Sequence, residues 1–236
     1  MKLNFLGRGS AFNTKEGNTS AYYKQEDMLL LIDCGESVFQ KIKDSNLLDG
    51  VKDVNILITH LHSDHAGSLS SLVMYCYYCK GIKPNVYYPR YNDLVNFLNT
   101  TGAMESILWN YFDLEDFKDK TKIEIIPFRT IHVKEISSFG YEIDDEPLDN
   151  GEYIIYTGDM CEPYENMQGH LNFADRIYID TCMSDYEGNV HMSLKKLCEL
   201  IRPKYRNKVW CMHLDCDEII TKAKMEGFNV VEIKNN

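Results

Sequence analysis

Six consecutive residues, His60-Leu61-His62-Ser63-Asp64-His65, put three imidazoles and a carboxylate within reach of one another. An extended His-x-His pair points both rings to one side, because side chains along a strand alternate faces. The turn that follows brings Asp64 and His65 round to a second position. Two nitrogen donors for one cation, plus an oxygen and a nitrogen for another, is the layout of a dinuclear metal site. Imidazole and carboxylate suit zinc, with manganese or iron as alternatives. With 7 His in 236 residues, so dense a cluster is poorly explained as ordinary polar loop.

One loop does not saturate two cations, so further donors should stand at other strand ends. His132 lies in Arg129-Thr130-Ile131-His132-Val133, within a strand signal. Asp159 follows the apolar run Tyr153-Ile154-Ile155-Tyr156-Thr157-Gly158, and His213 follows Val209-Trp210-Cys211-Met212. Alone, Asp159 reads as a turn cap, and His132 and His213 read as satisfied core residues. Together with the loop they complete a set of seven donors.

The elements that must position these residues are legible as alternation and β-branched runs. Strands are expected near residues 2–6, 20–24, 29–33, 54–59, 85–88, 122–127, 130–135, 139–143, 153–157, 176–180, 208–212 and 229–232. Helical periodicity covers 36–48, 66–80, 92–100, 105–112, 193–201 and 216–226. That is an α/β chain, a sheet sandwich flanked by helices. Asp144–Gly151 reads as a turn between strands, so a single domain over 1–236 is expected.

Bulk properties narrow the function. A hydrophobic share of 44% suits a buried core, and a net charge of −11 argues against a broad basic nucleic-acid footprint. A small phosphorylated substrate stays compatible, because two bound divalent ions would invert the local charge. Met1–Gly7 reads as a strand, not a signal peptide, and no run is long enough to span a membrane. The eight Cys then read as reduced thiols of a cytoplasmic protein, and the Cys76-Tyr77-Tyr78-Cys79 spacing as structural. Leu72–Tyr78 is apolar all round, and Tyr87-Tyr88-Pro89-Arg90-Tyr91 follows it, which suggests a homodimer interface.

The ordered set His60-x-His62-x-Asp64-His65, His132, Asp159 and His213 resembles the metallo-β-lactamase superfamily. Asp33-Cys34-Gly35-Glu36, Gly17-Asn18-Thr19-Ser20, Ser138-Phe139-Gly140-Tyr141 and His191-Met192-Ser193 make it most similar to the ribonuclease Z branch of phosphodiesterases. The resemblance implies an αββα four-layer sandwich. It also implies one zinc on His60, His62 and His132, a second on Asp64, His65 and His213, and Asp159 bridging both. Such a pair lowers the pKa of bound water toward about 7, which supplies a hydroxide nucleophile at neutral pH. The catalytic set expected beside it is Asp64, His191 and Asp180, with His191 the general acid and Asp180 its orienting partner. Asp33 is expected to accept a hydrogen bond from a ligand imidazole, and His170, which matches no motif, to lie on the surface.

The sequence departs from that branch in one respect. Only 27 positions separate His132 from Asp159, leaving no room for the protruding tRNA-binding arm of long-form ribonuclease Z enzymes. The expected substrate is therefore a cyclic nucleotide or other small phosphodiester. RNA 3′-end cleavage and hydrolysis of a lactone or thioester are the alternative reactions, and a degenerate binding module the non-enzymatic one.

Overall fold

The computed structural model describes residues 1–145 and 151–234. The turn expected at Asp144–Gly151 falls largely outside them.

Twelve strands are arranged in two sheets of six. The first holds β1 (Asn4–Gly7), β2 (Ser20–Gln25), β3 (Met28–Ile32), β4 (Asp53–Leu57), β5 (Asn85–Tyr87) and β6 (Asn110–Tyr111), side by side in that order. The second holds β7 (Glu124–Thr130), β8 (Ser138–Asp144), β9 (Tyr153–Tyr156), β10 (Arg176–Asp180), β11 (Val209–Met212) and β12 (Asn229–Val230). Both share one wiring: three antiparallel strands, then parallel neighbours. Parallel neighbours need crossovers, and helices supply most of them. In the first half these are α1 (Val38–Asp44), α2 (Ser63–Ala66), α3 (Leu69–Tyr75) and α4 (Tyr91–Thr100). After α5 (Leu114–Thr121) joins the sheets, the second half uses α6 (Met167–Phe173), α7 (Leu194–Leu200) and α8 (Glu218–Met225).

The four layers follow from residue alternation. In β3, Leu29 and Leu31 pack with the first half's helices, whereas Leu30 and Ile32 face the other sheet. In the second sheet, Ile155, Ile177, Ile179 and Val209 pack with α6, α7 and α8, and Ile154, Tyr156, Tyr178 and Met212 fill the space between sheets. A strand buried on both faces reads as a continuous apolar run, and all five residues of β3 are buried.

The structure differs from the sequence expectations in two places near the site. Strands were expected over 122–127, ending at Pro127, and over 130–135, but β7 runs straight through Pro127, which pairs with Tyr141 of β8, and ends at Thr130. Proline lacks the N–H that a second neighbour would need, and β7 is the sheet's edge, where none exists. His132 therefore lies in the loop after β7, not within a strand. The helix expected at 105–112 is absent, and α5 follows instead. Asp113 caps it, its Oδ1 accepting the N–H groups of Glu115 and Asp116 at 3.0 Å.

Candidate metal centre

The donors converge where strand ends of both sheets meet. After β4 the chain passes through Ile58 and Thr59 to His60, which is fully buried. His62 is extended (φ −64°, ψ 155°) and caps the short helix α2, which turns Asp64 and His65 back toward His60. This fold-back needs Gly35: a Cβ there would stand 1.9 Å from the carbonyl oxygen of Asp64. His132, Asp159 and His213 arrive from the loops after β7, β9 and β11. His213 has a φ of 57°, a strained conformation for a non-glycine residue. Thr19 Oγ1 holds it by accepting its N–H at 3.1 Å.

The seven residues form two groups. In the first, His62 Nδ1 lies 2.9 Å from His60 Nε2 and 3.3 Å from His132 Nε2. In the second, His213 Nε2 lies 3.3 Å from His65 Nε2 and 3.1 Å from Asp64 Oδ2. Asp159 stands between them. Its Oδ1 faces His65 at 3.2 Å and His213 at 3.5 Å, and its Oδ2 faces His132 at 3.6 Å and His60 at 3.8 Å.

These spacings fit metal ions. Donors of a tetrahedral zinc site with bonds of about 2.0–2.1 Å stand about 3.3–3.4 Å apart. Among the described residues the buried Oδ1 of Asp159 meets the imidazoles of His65 and His213 without a well-formed hydrogen bond, as donors converging on a shared cation would. Both clusters, His60–His62–His132 and Asp64–His65–Asp159–His213, have donor atoms close enough to share one ion.

The electrostatics divide the donors: burial would lower His65 and His213, but the facing carboxylates, Asp159 first, raise His65 well above its usual pKa and His213 to about 10, protons that a bound cation would displace. Burial, then the charge of His65, pushes the His60 imidazole well below its usual pKa, leaving the neutral form that a ligand must adopt. Burial alone would raise Asp64 and Asp159. The facing imidazoles, His65 first for Asp64 and His213 first for Asp159, outweigh it and hold both carboxyls below the usual range. Behind the donors, Asp33 Oδ2 lies 2.8 Å from His65 Nδ1, leaving Nε2 to face the site. Thr59 steadies Asp33 by donating its N–H to Oδ1 and its hydroxyl to Oδ2, both at 2.8 Å.

His191 stands beside the two groups, its ring centroid 5.0 Å from those of His132 and His213. Its Nδ1 meets Asp180 Oδ2 at 2.8 Å, and its side chain is 26% exposed. Burial would lower the pKa of His191, but the charge of Asp180 overcomes it and raises it. Asp180 is fully buried, also accepts the N–H of Met160 at 3.1 Å, and faces His213 Nδ1 at 3.3 Å.

Sequence reasoning missed the residues that fix the His191 loop. Asn189 Oδ1 accepts the His191 N–H at 3.1 Å, and its Nδ2 donates to the Ser184 carbonyl at 2.7 Å. Asp185 Oδ1 accepts from Ser193 Oγ at 2.8 Å, while Ser193 Oγ caps α7 through Lys196 N. His132 Nδ1 reaches the Val190 carbonyl at 2.8 Å. Asn and Asp on either side of a tyrosine and a glycine were the signal, but turn residues are too common to single out. His170 is not on the open surface as expected. It is half-buried on α6, its Nε2 3.6 Å from Glu142 Oε1, and belongs to neither donor group.

A family described as Anti-Pycsar protein Apyc1 matches residues 1–233. The chain belongs to this family. The Apyc1 protein of Bacillus phage vB_BveM-Goe7 is 29% identical over 251 residues, covering 94% of this chain and 93% of that protein. Among solved structures, the metallo-β-lactamase fold protein YhfI from Bacillus subtilis covers 99% of this chain and 96% of that one, with a TM-score of 0.71 at 16% identity. The short form of human tRNase Z covers 100% and 97%, with a TM-score of 0.69 at 19% identity. These likenesses give this chain the metallo-β-lactamase fold that its motifs resemble, and with the family match they make it a metal-dependent hydrolase.

Proposed function

We propose that the protein is a dinuclear zinc phosphodiesterase that opens cyclic nucleotides. Membership of a family that degrades cyclic pyrimidine nucleotides supports the substrate class. The observation that carries the mechanism is the His191–Asp180 pair, 2.8 Å apart, beside two donor groups with Asp159 standing between them. His60, His62 and His132 would hold one ion, Asp64, His65 and His213 the other, and Asp159 both. Such a pair supplies charge neutralisation for phosphoryl oxygens and a nucleophile at neutral pH.

The chain's own groups do the rest. Hydrolysis of a cyclic phosphodiester adds water across one P–O bond, and the departing alkoxide must take up a proton. Asp180 accepts from Nδ1 of His191, fixing the ring so that Nε2 carries the transferable proton. Asp180 also raises the His191 pKa, which favours the proton-bearing form. Asp64 is proposed to serve as both donor and catalytic residue, its Oδ2 lying 3.1 Å from His213 and 3.4 Å from His65 within the second group. A lactone or thioester hydrolase would not require the His191–Asp180 pair. A net charge of −11 counts against an RNA substrate.

A panel of cyclic mononucleotides, cyclic dinucleotides, a tRNA precursor, a thioester and a lactone tests this reading. Preferential turnover of cyclic nucleotides is expected. Rapid lactone or thioester turnover without phosphodiesterase activity would overturn it, as would preference for the tRNA precursor.

A further inference from the structure

A groove of about 580 Å³ opens on the outer side of His132, where the loop after β7 meets the His191 loop. Its lining includes His132, Lys134, Cys161, Tyr186 and Val190. Three features single it out. First, it shares His132 with the first donor group, so a phosphodiester lying there would direct one ester substituent into the groove. Second, Tyr186 is 63% exposed on a loop tied down on both sides. Asp185, just before it, bonds Ser193 Oγ and Lys195 Nζ at 2.8 Å, and Asn189, three residues after it, bonds Ser184 and His191. An exposed aromatic ring on so constrained a loop loses little freedom on binding a second ring. Third, the charge balance is wrong for phosphate. Glu135, Glu162 and Glu187 line the groove, and Lys196 is already committed to Glu162 at 2.8 Å. Among the described residues Lys134 makes no ion pair, which leaves one ammonium available to a neutral acceptor.

We propose that this groove is the nucleobase subsite. The base stacks on Tyr186, its carbonyl edge accepts a hydrogen bond from Lys134 Nζ, and the phosphate lies at the donor groups beyond His132. The assignment rests on the cyclic-nucleotide reading and adds to it the residues that would select the base. Stacking of a base on an aromatic side chain is sequence-tolerant, so Tyr186 supplies affinity and Lys134 supplies discrimination for a carbonyl edge.

The test compares Tyr186→Ala and Tyr186→Phe on a cyclic pyrimidine mononucleotide and on a ribose 3′,5′-cyclic phosphate that lacks the base and carries no aromatic ring. Tyr186→Ala should raise KM for the cyclic nucleotide by about 5- to 100-fold, the range that loss of one stacked base gives. Tyr186→Phe should keep KM near that of the parent, and neither variant should change KM for the base-free substrate. Lys134→Met should weaken binding of a carbonyl-bearing base and spare the base-free substrate. Equal KM changes on both substrates, or none for Tyr186→Ala, would overturn the subsite. Calorimetry on the metal-loaded protein separates this claim from the proposed activity. A pyrimidine nucleoside monophosphate binding more tightly than inorganic phosphate, with the difference lost in Tyr186→Ala, upholds the subsite even if no cyclic nucleotide is hydrolysed. Equal affinity for the two in the parent protein overturns it and leaves the phosphodiesterase reading standing.

Discussion

The roles proposed for His191 and Asp33 are opposite ones at the same edge of the fold. His191 is partly open beside the donor groups, whereas Asp33 is sealed behind His65. Their substitutions should therefore separate. His191→Ala is expected to lose about 10²–10⁴-fold in turnover of a substrate with a poor leaving group, the usual worth of a general acid. It should keep its metal, and lose less on bis(p-nitrophenyl) phosphate, whose p-nitrophenolate barely needs a proton. Equal losses on both would give His191 another role. Asp33→Asn should instead lower metal affinity by about 10- to 100-fold, read by competition with a chromogenic chelator. These residues were legible because the chemistry is unusual: imidazoles at strand ends stand out in a chain with 7 His. The seven donors named from the sequence do come together in the structure. Asn189, Asp185 and Thr19 were not legible, because they act through single hydrogen bonds to backbone or hydroxyl groups that many turns make.

At the level of elements, legibility tracked burial. The run Met28-Leu29-Leu30-Leu31-Ile32 is buried on both faces, and its composition alone marks a central strand. Leu31→Ala should cost about 2–5 kcal/mol, measured as a lower denaturant midpoint with unchanged m-value. A loss well below that range would mean the helices re-pack over β3. Elements that bury little were misread. α5 is rich in charge and buries only Phe117, so its apolar pattern is thin and its signal lies in the Asp113 cap. β7 crosses a proline because an edge strand leaves one side of its backbone unpaired, and edge position is a tertiary fact that no local pattern carries. The shared wiring of the two halves was likewise invisible, since it lies in pairing order and not in repeated residues.

For the whole molecule, the apolar layer between the sheets draws on both halves, with Leu30 and Ile32 from one and Tyr141, Ile154 and Tyr178 from the other. We therefore propose a single cooperative domain, for which one transition in chemical denaturation, coincident by fluorescence and circular dichroism, is the expected result. The homodimer remains a proposal of the same kind. Leu72 and Val73 turned out to be buried inside the fold, which removes part of its original basis. Tyr78 at 69%, Ile107 at 58%, Met104 at 45% and Tyr91 at 41% exposure are what supports it. Light scattering should give twice the 27.4 kDa chain mass at micromolar concentration, and a monomer would end the idea. The parentage of the donors has a separate consequence. The first group takes His60 and His62 from the first half and His132 from the second, and the other takes Asp64 and His65 from the first half and Asp159 and His213 from the second. Neither half owns a site. Ions bound there would act as rivets across the seam between sheets, so metal supply should set the protein's lifetime as well as its chemistry. Stripped of metal, the strand ends at that seam should be the first sites cut in limited proteolysis.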